Sequence, residues 1–217
     1  MTKFLSKAKF YELAATIPLV IWFGLGIVGS FLRVSQMLDS GANAIAVFSQ
    51  VAIALFLSIV IVLLVIRLPP VRKTKGFLPM LAGILGFLFP FIVLALPRAS
   101  LTPAIAIFSS VMVLVGTVAS ILSVYWLGRS FSILPQARGL VTEGPYQVIR
   151  HPLYLAELCV VFGRIWEFNQ PWPFIIMLTA IGIQIARMHF EEKILLEEFP
   201  SYTEYANRTA RIIPNIY

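Results

Sequence analysis

Residues 44–68 read AIAVFSQVAIALFLSIVIVLLVIRL, an apolar run whose only charged residue, Arg67, stands one place before its end. At about 1.5 Å of rise per helical residue, a run of this length crosses the roughly 30 Å hydrocarbon core of a bilayer. Lipid offers no hydrogen-bond partners, so every backbone N–H and C=O in such a run must be paired within its own helix. The stretch therefore predicts a membrane-spanning helix.

The whole chain has the same character. Of its 217 residues, 59% are hydrophobic and 12% are charged, whereas about 25% of a soluble domain is charged. The mean hydropathy is +0.89. We therefore expect an all-α integral membrane protein with about five to six transmembrane helices and no Rossmann domain. The further spans that we predict are 13–32, 77–96 with a kink near Pro90, 103–127, a short segment 152–166, and 172–188 with an extension through Phe199.

Basic residues predict the orientation, because cytoplasmic loops of membrane proteins are rich in Lys and Arg. With a cytoplasmic N-terminus, 14 of the 17 basic residues, beginning with Lys3, fall inside, and only Arg33 and Arg98 fall in outer loops. Both termini are then cytoplasmic. The bias accounts for the net charge of +7 without a nucleic-acid partner. The single cysteine, Cys159, excludes an internal disulfide and a cysteine-cluster metal site, and we predict no metal.

A polar stretch, 128–151, precedes the short apolar segment. Gly144-Pro145 is a turn signal, and Pro152 suits the first turn of a helix because its missing N–H would be unpaired there. Arg150 and His151 then stand at a helix N-terminus, where free N–H groups favour an anion. The alternative is that both residues are interfacial anchors that contact lipid phosphates.

A second polar cluster follows the hairpin formed by 152–166 and 172–188. Arg187 and Glu191 are four residues apart and share a helix face, with Glu192 beside them. The hairpin returns this cluster to the membrane face of His151, so the two clusters could line one pocket. The alternative is a solvated, salt-bridged helix surface.

Two carboxylates belong to the hairpin itself. Glu157 lies within the apolar segment, and an intramembrane carboxylate is a functional candidate by default. Because it lies only about 8 Å into the helix, it could equally be a shallow residue that reaches the interface. Glu167 and Arg164, at i and i+3, predict an ion pair at the outer surface.

Several of these elements occur in a characteristic order along the chain: Leu140-Val141-Thr142-x-Gly144-x-Tyr146, Arg150-His151-Pro152-x-Tyr154, Arg187-x-x-x-Glu191-Glu192, and Phe199 with Tyr202 and Tyr205. This order resembles the isoprenylcysteine carboxyl methyltransferase family and is similar to the related phospholipid methyltransferases. The resemblance covers roughly residues 126–214, so we divide the chain into N-terminal transmembrane helices (1–125) and a methyltransferase-like region with a cytoplasmic cofactor pocket (126–217). Ala156 and Pro200 stand where the family usually has glycine.

The resemblance implies a membrane methyltransferase that uses S-adenosylmethionine to methylate a carboxylate or amine of a lipid-like or prenylated acceptor. The implied partners are the bilayer and this acceptor, and no obligatory protein partner can be read. The implied catalytic residues are Arg187 and Glu191, and the implied substrate residues are Arg150, Arg187 and Glu157. The implied cofactor contacts are Arg138, Gly139, Leu140, Val141, Tyr146, His151, Pro152, Leu153, Tyr154 and Glu192.

Two alternative functions stay open on the sequence. Membrane sterol-type reductases have somewhat similar C-terminal signatures and bind NADPH, but no added Arg/Lys cluster marks a site for the 2′-phosphate. A non-enzymatic membrane protein that retains the fold would fail to bind any nucleotide-like cofactor. A channel or transporter is disfavoured, because the polar residues gather at one membrane face and not along a path.

Overall fold

The fold is given by a computed structural model that describes the backbone of residues 7–214 and the side chains of residues 13–214. Lys3, counted in the orientation argument, lies outside the described residues. The described chain is largely helical, which confirms the predicted all-α class. Its α-helices are α1 (Lys7–Asp39), α2 (Ala44–Ile66), α3 (Phe77–Leu88), α4 (Pro103–Leu127), α5 (Pro152–Arg164), α6 (Trp172–Glu198) and α7 (Tyr202–Arg208).

Among the described residues, five helices are long and apolar enough to cross a membrane, so the chain is a multi-pass membrane protein. The third of them changes from α to 3₁₀ geometry at Phe89–Ala95, because Pro90 cannot donate the next helical hydrogen bond. This change of geometry lies where we predict that the helix is kinked or locally opened. The five spans are Leu13–Asp39, Ala44–Ile66, Phe77–Ala95, Pro103–Ser130 and Trp172–Glu198.

The first arm of the hairpin is much shorter than the second. Helix α5 has 13 residues, which is about 20 Å and less than the hydrocarbon thickness of a bilayer. Helix α6 has 27 residues. It continues beyond the predicted span 172–188 to Glu198, which agrees with the expected extension through Phe199. The start of α5 and the last turns of α6 therefore lie at the same end of the molecule.

Close packing against α4 fixes the position of α5. A Cβ built on Gly116 would lie 2.8 Å from the carbonyl oxygen of Ala156 and 2.8 Å from the backbone nitrogen of Val160. A Cβ on Gly163 would lie 3.0 Å from the carbonyl oxygen of Ser109. These distances are shorter than real Cβ contacts, so two glycines, one in each helix, allow the helices to touch along their backbones.

The loop before α3 is joined to the polar stretch after α4. Its two-residue strand β1 (Arg72–Lys73) pairs antiparallel with β2 (Gln136–Ala137), and the N–H of Leu68 donates to the carbonyl of Arg129 at 2.8 Å. Arg72 also forms ion pairs with Glu197 and Glu198 at the end of α6, at 3.0 and 3.6 Å. The N-terminal helices thus hold the polar stretch through this loop.

The predicted pair of Arg164 and Glu167 is present at the opposite end of the bundle. Nη1 of Arg164 donates to both carboxylate oxygens of Glu167, at 2.9 and 3.1 Å. Ser109 of α4 donates to the same carboxylate at 3.1 Å. The pair therefore connects the end of α5 to the start of α4.

We predict that Gly116→Ala destabilises the protein, because the added Cβ would collide with the backbone of α5. Overpacking of this kind typically costs about 1–3 kcal/mol. Thermal unfolding of the detergent-purified variant should show a lower Tm than the parent. Gly182→Ala is the control: it lies in α6 with nothing within 4 Å of the added Cβ. Equal Tm values for the two variants would contradict the tight α4–α5 contact.

Candidate active site

A cleft opens where the polar stretch after α4 meets the start of α5 and the ends of α6 and α7. Together with the open solvent at its mouth, the cleft encloses about 700 Å³. Its lining residues are Leu127, Ser130, Ser132, Gln136, Gly139, Leu140, Val141, Tyr146, Arg150, His151, Leu153, Tyr154, Glu191, Leu195, Tyr202 and Tyr205.

Backbone forms one side of the cleft. A Cβ on Gly139 would lie 2.7 Å from Oγ of Ser130, so the absence of a side chain lets the backbone at 139–141 lie close against the end of α4. Arg138 fixes this segment from behind: its guanidinium donates to the carbonyl of Leu68 and, at 2.9 Å, to Oε1 of Gln136.

Two hydroxyl groups of the lining have no protein partner. Oγ of Ser132 and Oη of Tyr202 are buried and form no hydrogen bond with the described residues. Buried polar atoms are nearly always paired, and an unpaired one costs about 1–3 kcal/mol. Both residues line the cleft, and a polar ligand that reaches the two hydroxyl groups would supply the missing hydrogen bonds.

Of the four tyrosines that line the cleft, the three outside α5 keep their protons at neutral pH. Burial, assisted by nearby carboxylates, raises the pKa of Tyr146 and of Tyr202. Burial also raises the pKa of Tyr205 to about 12. The hydroxyl of Tyr205 donates to the carbonyl of Tyr146 at 2.7 Å, which ties α7 to the 3₁₀ turn before α5. Neutral phenols can donate hydrogen bonds to a ligand.

Glu192 lies directly behind the cleft and contacts two arginines and a histidine. It accepts hydrogen bonds from Nε of Arg150 at 2.8 Å and from Nε of Arg211 at 2.9 Å, and it lies 3.1 Å from Nε2 of His151. Backbone bonds reinforce the arrangement, because the N–H of Arg150 donates to the carbonyl of Ala210 at 2.8 Å. Glu192 therefore connects α6, the start of α5 and the C-terminal tail.

Tyr154 occupies the centre of the site. Its ring stacks on His151, with centroids 5.2 Å apart and an interplanar angle of 6°, and its hydroxyl donates to Glu191. On its other side the guanidinium of Arg187 lies 4.6 Å from the ring centroid. Arg187 is buried and donates to the carbonyl of Ile133 at 2.8 Å. Tyr154 thus separates Arg187 from the cleft.

A polar path continues from Arg187 deeper between α5 and α6. Nη1 of Arg187 lies 4.0 Å from the carboxylate of Glu157, and Nε2 of Gln184 donates to that carboxylate at 2.8 Å. Oε1 of Gln184 and Nε of Arg187 are buried without a partner in the described chain. The side chain of Glu157 is 34% exposed, so this path reaches the outside of the bundle.

The structure brings most of the sequence-predicted site residues into the cleft lining, while their roles stay predictions. Gln184, Tyr202 and Tyr205 received no role from the sequence. Gln184 could have been found, because it shares a helix face with Arg187 and Glu191 at i, i+3 and i+7. The predicted residues in the lining are Gly139, Leu140, Val141, Tyr146, Arg150, His151, Leu153, Tyr154 and Glu191; those outside it are Arg138, Pro152, Glu157, Arg187 and Glu192.

Comparison with known proteins places a family match on this part of the chain. Residues 104–201 match the model of the phospholipid methyltransferase family. The matched stretch runs from the first turn of α4 to the residue before α7. It contains all of the cleft lining except Tyr202 and Tyr205.

Three curated proteins are similar to parts of the chain. Protein-S-isoprenylcysteine O-methyltransferase B of Arabidopsis thaliana is 32% identical over 114 residues, which are 49% of this chain and 58% of the relative. Cobalt-zinc-cadmium resistance protein CzcN of Cupriavidus metallidurans is 32% identical over 78 residues, 36% of each chain. Nickel-cobalt-cadmium resistance protein NccN of Alcaligenes xylosoxydans xylosoxydans is 29% identical over 82 residues, 36% of this chain and 37% of the relative.

The chain thus spans from about a third to somewhat over half of the length of these relatives. The matches confirm the resemblance that the motifs carry. Residues 104–201, which build most of the cleft, match the phospholipid methyltransferase family, and part of the chain is similar to an isoprenylcysteine O-methyltransferase.

Proposed function

We propose that this membrane protein is a methyltransferase that binds S-adenosylmethionine in the cleft and methylates a lipid-like or prenylated acceptor at a carboxylate or an amine. The observation that carries the proposal is a cleft, formed mostly by the family-matching residues 104–201, whose lining contains two hydroxyl groups without a partner among the described residues. They belong to Ser132 and to Tyr202, which directly follows the matched stretch. The proposed orientation places the cleft and both termini on the cytoplasmic side. The bilayer and the acceptor are the proposed partners, without nucleic acid or an obligatory protein partner.

The lining residues suit the parts of such a cofactor. When bound, S-adenosylmethionine supplies a methyl group made electrophilic by its sulfonium. Glu191 has the charge to bind an ammonium group or to accept from ribose hydroxyls, and the N-terminus of α5 beside His151 favours a carboxylate. The face of the Tyr146 ring can stabilise a cation. The apolar side chains of Leu140 and Val141 exclude water on the side of the polar stretch.

For methyl transfer, the main task of these residues is alignment. Tyr154 is held by its stacking on His151 and its hydrogen bond to Glu191, so its ring has one orientation. Alignment and exclusion of water supply much of the catalysis of an in-line displacement. A rigid Tyr154 at the centre of the site would therefore define the direction from which the acceptor approaches.

We propose that the acceptor head group approaches from the side of Glu157 and Arg187, where the polar path reaches the outside of the bundle. A carboxylate acceptor needs no general base, and Arg187 would orient it through charge-assisted hydrogen bonds. An amine acceptor must lose a proton, and Glu157 or Glu191 would accept it.

Calorimetric titration of the detergent-purified protein with S-adenosylhomocysteine, with NADPH in parallel, tests the proposal. We expect saturable binding of S-adenosylhomocysteine alone, because Arg150 is the only Lys or Arg in the lining and its guanidinium is already bound by Glu192. Binding of NADPH alone would replace the proposal with the reductase alternative. Binding of neither ligand to folded protein would favour the non-enzymatic alternative.

We predict that Tyr202→Phe weakens S-adenosylhomocysteine binding without loss of stability, because its hydroxyl has no protein partner. A lost hydrogen bond of about 0.5–1.5 kcal/mol corresponds to roughly a 2- to 12-fold weaker Kd. Tyr205→Phe is the matched control. It removes the bond to the carbonyl of Tyr146 and should lower the Tm. If Tyr202→Phe lowers the Tm and leaves the Kd unchanged, its hydroxyl does not serve the ligand.

A further inference from the structure

A second polar cluster lies at the end of the bundle opposite the cleft, where α1 and α5 end and α2 and α4 begin. Nε2 of Gln50 donates to Oγ of Ser30 at 2.9 Å, and Nη2 of Arg164 lies 3.4 Å from Oε1 of Gln50. Glu167 completes the cluster, with its carboxylate bound by Arg164 and Ser109. These hydrogen bonds connect α1, α2, α4 and α5 at one depth.

Three arginines meet at this end of the bundle, and we call Arg33, Arg98 and Arg164 the arginine cluster. Arg33 follows Ser30, the partner of Gln50, by about one turn of α1. Arg98 forms an antiparallel bridge with Phe168, and the N–H of the neighbouring Ala99 donates to the carbonyl of Glu167 at 3.0 Å. Three arginines and the carboxylate of Glu167 therefore lie at this end of the bundle.

Two members of the arginine cluster have unused donors. Within the described part of the chain, the guanidinium groups of Arg33 and Arg98 form no hydrogen bond or ion pair, while Arg164 is bound by Glu167 and Gln50. A guanidinium carries five N–H donors in a planar fork that matches the oxygens of a phosphate or carboxylate. Like charges held together repel one another, and a bound anion would remove that cost.

The surroundings of the arginine cluster indicate where such an anion would come from. Phe31 and Leu32, next to Arg33, are 65% and 61% exposed, which suits contact with acyl chains. Trp166 and Trp172 at the same end of the hairpin are also exposed, and tryptophan is enriched where the bilayer meets water. An anion at this place therefore lies at the depth of the lipid head groups.

We propose that Arg33 and Arg98, with Arg164 behind them, bind the phosphate of an anionic lipid at the membrane face opposite the cleft. Two unpaired guanidinium groups give bidentate, charge-assisted hydrogen bonds to the phosphate. The surplus of two positive charges favours a lipid with net negative charge over a zwitterionic one. This site does not depend on methyltransferase activity.

Native mass spectrometry of the delipidated full-length protein titrated with phosphatidylglycerol tests the site. Arg33→Gln/Arg98→Gln should raise the Kd of the tightest lipid-binding event about tenfold or more. A tenfold change in Kd corresponds to about 1.4 kcal/mol. The control, Lys73→Gln/Lys75→Gln, removes the same charge from the exposed loop at the cleft end and should change this event less than about twofold. Phosphatidylcholine, whose choline offsets the charge of its phosphate, should bind more weakly, with a smaller difference between the proteins.

A charge-conserving variant separates folding from binding. Arg33→Lys/Arg98→Lys should retain most of the phosphatidylglycerol binding, and the glutamine variant should unfold at no lower temperature than the parent, because it removes repulsion and no bond. If Arg33→Gln/Arg98→Gln and Lys73→Gln/Lys75→Gln lose phosphatidylglycerol binding to the same extent, the proposal is overturned. Displacement of the lipid by millimolar inorganic phosphate would assign the site to a soluble anion and overturn the lipid assignment.

Discussion

The cleft depends on one buried carboxylate, that of Glu192. It binds Arg150 and His151 from the segment before α5 and Arg211 from the tail, so three separate parts of the chain meet at one side chain of α6. A buried ion pair that loses one partner typically costs 3–5 kcal/mol, because the other charge stays buried and unpaired. The cations are therefore organised around Glu192, and the cleft lies in front of this arrangement.

The unequal lengths of α5 and α6, the two arms of the hairpin, determine where the polar residues of the candidate site lie. Contact at Gly116 sets α5 against α4, and the longer α6 brings Glu191 and Arg187 back to the start of α5. The polar contacts between the arms follow one line, from Glu191 through Tyr154 to Glu157. One end of this line faces the cleft and the other reaches the outside of the bundle, as the proposed transfer from a soluble cofactor to a lipid-like acceptor would require.

The sequence predicts the elements of this fold better than the contacts between them. Helix α4 matches the predicted 103–127, because apolar length and capping are local properties. The partners of Glu192 are not local: Arg211 is 19 residues away and Arg150 is 42 residues away. Sequence reasoning therefore places Glu192 among the cofactor contacts, whereas the structure places it behind the cleft. The sequence also gives no sign that Arg72 helps to hold the polar stretch, because Arg72 does so through an ion pair with the distant end of α6.

Hydrogen exchange of Glu192→Gln, compared with the parent and with Glu167→Gln, tests the role of Glu192 most directly. The backbone N–H groups of Arg150 and His151 donate to the carbonyls of Ala210 and Arg211, so they report on the junction that Glu192 holds. The account predicts that these amides lose protection in Glu192→Gln while α2 and α4 keep theirs, and that Glu167→Gln leaves the junction unchanged. Unchanged protection of Arg150 and His151 in Glu192→Gln would contradict it.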